Sequence, residues 1–258
     1  MTKVTVKSFP EKSPELATAL ADQIVAIQNA VFAKRPENRA FYVAVSGGSL
    51  VATLRKALLP RADIDWANWH IYFADERIVP LDDPDSNYGL LKKELLDHLP
   101  ADHARPTVIP IDPTLESPAA VAEAYESVLR SNVPSTESSS SFPALDLVLL
   151  GCGPDGHTAS LFPGHALLLA SDTTQKAVDF LTDSPKPPPS RVTLTLPVLA
   201  RTGAQVVFVA EGAAKGPVLK QILDDKSNVY DGTLPCAQVN AAADGRVTWY
   251  VSETAFKI

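Results

Sequence analysis

The sequence predicts a doubly wound α/β fold, in which helices cover both sides of a mostly parallel sheet. Three observations predict it. Short apolar runs alternate with segments of helical period through most of the 258 residues. One run, Leu145–Leu150, is apolar at nearly every position, as a parallel strand buried on both faces must be. Strands at Phe41–Val45 and Leu145–Leu150 run straight into glycine-rich turns, the places where open α/β sheets bind ligands.

Each element has its own local reason. Lys3–Phe9 alternates as a short edge strand. Ser13-Pro14-Glu15 starts a helix with a capping serine and a first-turn proline, and Leu16, Leu20, Ile24, Ile27 and Val31 share its apolar face. Phe41–Val45 is a strand ending at Ser46-Gly47-Gly48-Ser49, with a helix following over about Leu50–Leu58. Trp69–Ala74 is the next strand and meets Asp75-Glu76-Arg77. Ser86 caps a helix through Leu96, and Val108–Ile111 is a further strand. Ser117-Pro118 repeats the helix start, with Val121, Tyr125, Val128 and Leu129 as its apolar face. After Leu145–Leu150 come strands at Ala177–Leu181, Arg191–Leu196 and Gln205–Ala210, a helix over Gly212–Leu223 and a closing strand at Val247–Val251.

Two segments break this rhythm. Ser131–Pro143 holds six serines and two prolines, which predicts a surface loop. Asp183–Ser190 holds four prolines and reads as an extended connection. Neither marks a domain boundary and no repeat is present, so residues 1–258 are read as one domain.

Composition narrows the function classes. A hydrophobic content of 45% supports one large core. The net charge of −7 argues against a general nucleic-acid binder, and no apolar run reaches the ~20 residues of a membrane span. Two cysteines, Cys152 and Cys236, form no framework spacing, and the first residues have no signal-peptide pattern. A cytoplasmic setting is expected.

The candidate chemistry sits on the turns. Ser46-Gly47-Gly48-Ser49 joins a strand to a helix N-terminus, where free N–H groups, hydroxyls and the positive dipole end suit a phosphate; a tight turn with a serine cap fits those four residues equally. Neither a dinucleotide fingerprint nor a P-loop occurs, so no nucleotide cofactor is indicated. Asp75 and Arg77 read either as a solvated loop or as groups for an anionic, hydroxyl-rich ligand. The run Gly151-Cys152-Gly153-Pro154-Asp155-Gly156-His157 sets a carboxylate two residues from an imidazole that exchanges protons near neutrality. Two residues apart on a turn, the pair either meets or points apart. No zinc-like spacing surrounds it, and no metal is expected. Arg191 and Lys215 are surface cations when taken singly, and join the Ser46–Ser49 loop around one phosphate if the sheet gathers its carboxyl ends.

Taken together, Ser46-Gly47-Gly48-Ser49, Asp75-Glu76-Arg77 with Val79-Pro80, Ser86-Asn87-Tyr88, Gly-Pro-Asp-Gly-His-Thr at 153–158 with Ser-Leu-Phe-Pro-Gly after it, Arg191-Val192-Thr193-Leu194-Thr195 and Lys215 resemble the 6-phosphogluconolactonase family, in order and over nearly the whole chain. The resemblance implies a three-layer α/β/α sandwich with a modified Rossmann-type, mostly parallel sheet. It implies hydrolysis of a sugar-phosphate lactone without a cofactor; a monomer or weak homo-oligomer is expected, and charge and hydropathy predict no nucleic-acid or membrane partner. His157 becomes the catalytic base, with Asp155 and Asp75 in supporting polar roles. Ser46, Gly47, Gly48, Ser49, Arg77, Arg191 and Lys215 surround the substrate. Cys152 and Ser252 stand where the family often has methionine and aspartate. Two rivals keep the fold: an amino-sugar-phosphate isomerase or deaminase with Asp75 as base, and a sensor without chemistry. Arg77 and Pro154 favour the lactonase pattern over the first, and the lack of a DNA-binding module argues against the second.

Overall fold

The computed structural model describes residues 3–135, 142–170, 174–223 and 232–258. From the amino end, β1 (Val4–Phe9) leads to α1 (Pro14–Lys34), β2 (Phe41–Val45), α2 (Ser49–Leu58), β3 (Trp69–Phe73) and β4 (Asp75–Arg77). Then follow α3 (Asn87–Glu94), β5 (Thr107–Val108), α4 (Pro118–Asn132), β6 (Leu147–Gly151), α5 (Ala166–Leu169), β7 (Val178–Leu181) and β8 (Arg191–Leu194). The chain closes with β9 (Gln205–Ala210), α6 (Gly216–Leu223), α7 (Pro235–Ala242) and β10 (Val247–Ser252). The serine caps act as the sequence predicts. Ser13, Ser86 and Ser117 accept from the backbone N–H groups of Glu15, Gly89 and Ala120, satisfying donors that a helix start leaves open.

Seven strands form one parallel sheet in the order β1-β10-β9-β6-β2-β3-β5. Period-two alternation sorts their side chains onto two faces. Phe41, Val43, Val45, Ile71, Phe73, Leu147, Leu149, Val207 and Val209 point to one, where Leu16, Leu20 and Ile24 of α1 and Leu50 and Leu54 of α2 cover them. Tyr42, Ala44, Tyr72, Val148, Leu150, Val206, Phe208 and Trp249 point to the other, against Val121, Tyr125 and Leu129 of α4, Leu219 of α6 and Val239 of α7. Burying a large apolar side chain stabilises by ~1.5–3 kcal/mol, so this double-sided burial is the main reason the sandwich holds. The three-layer α/β/α architecture is as expected.

By length and composition α1 is apolar enough to cross a membrane, the sole such helix among the described residues. Its apolar stripe is occupied within the fold, packed on β2 and α2.

Several local expectations are corrected. Asp75-Glu76-Arg77 is not a loop but strand β4, antiparallel to β8, which pairs in turn with β7. The runs at Ala177–Leu181 and Arg191–Leu196 therefore build a separate three-stranded antiparallel sheet on the α4 side, because apolar alternation carries no information on strand direction. The strand expected over Val108–Ile111 pairs only at Thr107–Val108. The helix expected from Ser86 through Leu96 ends at Glu94, and that over Gly212–Leu223 opens with a 3-10 turn at Ala213–Lys215. Val128 is exposed and leaves the α4 face to Val121, Ala122, Tyr125 and Leu129. The surface loop expected over 131–143 is shorter: Ser131 and Asn132 finish α4, and Ser135 bridges Pro143. Residues 136–141 lie outside the described residues.

Candidate active site

Four adjacent strands, β9, β6, β2 and β3, end on the same side of the sheet. From β2 the chain steps outward to β3 and β5, then returns to β6 on the opposite flank. The direction of winding reverses between β2 and β6, and such a switch opens a crevice at the carboxyl ends. The turns after β2 and β6 flank that point, and the backbone N–H of Ser46 donates to the Leu149 carbonyl at 2.9 Å.

A cavity of about 240 Å³ lies there, lined among others by Ser46, Gly47, Gly48, Ser49, Asp75, Arg77, His157, Arg191 and Lys215. Every candidate residue from the sequence lines it except Asp155, which stands behind His157. Three cations face one carboxylate in this lining, although the chain as a whole carries −7. An anion is the natural guest of such a field.

Close packing builds the walls. A Cβ at Gly47 would overlap the Asn87 amide, and a Cβ at Gly153 would overlap the His157 imidazole. Only glycine permits either approach. Gly48 caps α2 without a side-chain bond, so the first turn of that helix opens on the cavity.

The Asp75 carboxylate is buried and anchored. It accepts from Ser160 Oγ at 2.8 Å and from Ser46 Oγ at 3.4 Å, with the Arg191 guanidinium 4.0 Å away. Its neighbour Glu76 points the other way on β4 and is wholly buried. The Glu76 carboxylate accepts from the backbone N–H groups of Arg77, Asn87 and Tyr88 at 2.7 Å each, and from Ser86 Oγ at 3.2 Å. It caps α3 from outside that helix. Burial still pushes its carboxyl up, against the pull of those bonds. Asn87, so placed, donates from Nδ2 to the Asp75 carbonyl at 2.8 Å.

Arg77 donates to the Asp85 carbonyl at 2.6 Å, while its buried Nε has no partner. Arg191 is buried and spends most of its fork on backbone, donating to the carbonyls of Lys186, Pro187 and Pro188 at 2.9, 3.1 and 3.0 Å. Burial, helped by nearby Arg77, lowers its guanidinium from the ordinary value. Lys215 stands on the turn before α6 and makes no ion pair among the described residues.

His157 and Asp155 meet. Imidazole Nδ1 and carboxylate Oδ1 are in a short hydrogen bond, and the ring packs on Phe162 with centroids 4.8 Å apart. The Nδ1–H bond to a carboxylate selects the tautomer in which Nε2 is the free base, and no described residue bonds Nε2. Burial lowers the imidazole from its ordinary 6.5, and Asp155 only partly offsets this. Burial opposes ionisation of Asp155, yet the bonds and charges of His157 and Lys186 outweigh it and hold that carboxyl below its usual range. α7 steadies the turn through the Cys236 N–H, which donates to the Gly156 carbonyl at 3.2 Å.

Asn87, Ser160, Glu76 and Lys186 were not singled out as functional from the sequence. Asn87 stood inside a cap motif, and the other three are ordinary polar residues whose site partners Asp75, Ser86 and His157 lie 85, 10 and 29 positions away.

The fold and the cavity define an α/β protein with an acid-paired histidine facing a crevice lined by three cations, the layout of a small-metabolite enzyme. A family described as "Glucosamine-6-phosphate isomerases/6-phosphogluconolactonase" matches residues 11–249. The chain is 42% identical over 262 residues to 6-phosphogluconolactonase 3 of Saccharomyces cerevisiae, covering 98% of this chain and 96% of that relative. It is 43% identical over 252 residues to a 6-phosphogluconolactonase of Homo sapiens, covering 95% and 90%. Its structure matches that of 6-phosphogluconolactonase from Trypanosoma brucei with a TM-score of 0.76 at 29% identity, covering 99% and 98%. The chain belongs to the glucosamine-6-phosphate isomerase/6-phosphogluconolactonase family.

Proposed function

We propose that this protein hydrolyses 6-phospho-D-glucono-1,5-lactone to 6-phospho-D-gluconate, the lactone-opening step of the oxidative pentose phosphate pathway, as a single catalytic domain. The observation that carries the mechanism is the His157–Asp155 pair on a cavity lined by three cations. His157 Nε2 takes a proton from water as that water attacks the C1 carbonyl. Asp155 holds the Nδ1–H and stabilises the imidazolium that forms. The C1 oxyanion is met by cavity donors, with Arg77 and the backbone N–H groups of the glycine turns in reach of the same space. Imidazolium then returns the proton to the ring oxygen as the C1–O bond breaks.

The phosphate end belongs to the open α2 N-terminus with Lys215 and Arg191. Binding there orients the lactone while contributing nothing to the bond change itself. Asp75 serves as an anchor, since both its oxygens already accept hydroxyls.

The test is loss of freshly generated lactone by the wild type and by His157→Ala. The variant is expected to fold normally by circular dichroism and to lose about 10²–10⁴-fold in kcat. Wild-type-like turnover by the variant would overturn the mechanism. Glucosamine 6-phosphate should release no ammonia with either protein, and its release would favour the isomerase or deaminase reading.

A further inference from the structure

We infer that Lys186, in the proline-rich connection between β7 and β8, is a positioning residue that completes the His157–Asp155 pair and governs its proton transfer from behind. The inference rests on the proposed lactonase chemistry. Lys186 Nζ lies 3.2 Å from Asp155 Oδ2 and 3.3 Å from His157 Nδ1. Asp155 therefore divides its two oxygens between two donors: Oδ1 takes the imidazole Nδ1–H and Oδ2 the ammonium. Lys186 is absent from the cavity lining, and its ammonium is placed on the pair itself.

The connection is built to hold the lysine there. Ser184 Oγ accepts the Lys186 N–H at 3.2 Å and donates to the Lys186 carbonyl at 2.8 Å. Arg191, rooted on β8, donates to that same carbonyl and to the two after it. One buried guanidinium thus fixes the backbone that carries the lysine. This gives Arg191 a purpose beyond any direct contact with an anion.

The consequence follows from charge. A carboxylate alone behind an imidazole would favour the imidazolium and slow its return of the proton. An ammonium at the same place takes up part of that negative potential and repels a second positive charge. The imidazole stays a free base in the resting site and gives up its proton readily to the departing ring oxygen. The other charges around His157 are Asp75 on β4, which favours the imidazolium, and Arg77, Arg191 and Lys215 across the cavity. Lys186, 3.3 Å from Nδ1, acts on the ring by its charge, since the Nδ1–H already points at Asp155.

The experiment compares wild type, Lys186→Met and Lys186→Arg by two readouts. One is the NMR titration of the His157 ring proton, assigned by its loss in His157→Gln. The other is the pH profile of kcat/KM for the phosphorylated lactone. In Lys186→Met the titration and the acid limb should both move up by about 0.5–1 pH unit. KM should stay within about twofold, and Lys186→Arg should behave as wild type. An unmoved titration overturns the inference, whatever the turnover. So does a KM raised about tenfold with the acid limb in place, since that marks a ligand contact. A shifted titration in a protein whose wild type opens no lactone would sustain the role of Lys186 and defeat the lactonase reading instead.

Discussion

His157 accepts a proton only while it is neutral, so the pH at which it becomes charged sets the acid side of activity. Burial lowers that pH from the ordinary 6.5, with Asp155 opposing and Lys186 assisting. The acid limb of kcat/KM should therefore have its midpoint below pH 6.5. A rate profile measured across this range checks it, and a midpoint above that value would contradict the burial argument. The same group affects stability with a definite sign. The unfolded chain binds the proton at 6.5 and the native state only below it, so stability falls as pH drops through that window. At this scale the sequence was partly legible. Glycines around Asp155 and His157 marked the turn, but a spacing of two residues does not by itself say that the side chains meet. The missing Cβ at Gly153 lets the ring fold back to its carboxylate, and only the structure displays that. Lys186, 29 positions from His157, left no local mark.

Strand β4 and helix α3 are joined by one carboxylate. Glu76 receives two N–H groups from the first turn of α3, one from its own strand and one hydroxyl, all in a buried setting. Removing it strands those donors away from water, which costs more than the bonds themselves contribute. Glu76→Ala should destabilise the fold by about 2–4 kcal/mol in urea unfolding. It should also loosen Asn87, and with it the wall of the Gly47 turn. A loss below about 0.5 kcal/mol, the range of an ordinary surface change, would refute the capping role. Sequence reasoning placed the serine caps correctly because a cap is local. It did not find α7, whose residues Pro235, Cys236, Ala237, Val239 and Asn240 are all buried, leaving no polar stripe to set its period. Nor did it separate β7 and β8 from the main sheet, since pairing partners and direction are settled between distant segments.

For the whole molecule, the two apolar faces of one sheet are what alternation in the sequence encoded, and the α/β class was readable from it. Strand order was not, because nothing local says that β6 returns beside β2, yet that return creates the crevice. Phe208 tests how far the far-side face supports the molecule. Its ring stacks on Trp249 with centroids 4.0 Å apart and 7° between planes, fully buried beneath α7. Phe208→Ala should cost about 3–5 kcal/mol in equilibrium unfolding, and a change under 1 kcal/mol would mean the core relaxes around the gap. The pairing of β1 with β10 has a different kind of consequence. Val4 lies beside Val247 and Phe9 beside Ser252, so β1 finds its partner only in a strand made more than 200 residues later. At about 5–20 residues per second, β1 waits roughly 10–50 s on the ribosome while β2 and β3 pair early. Through that interval α1 has only part of its seat, so this edge of the sheet closes only once residues 247–252 have been made.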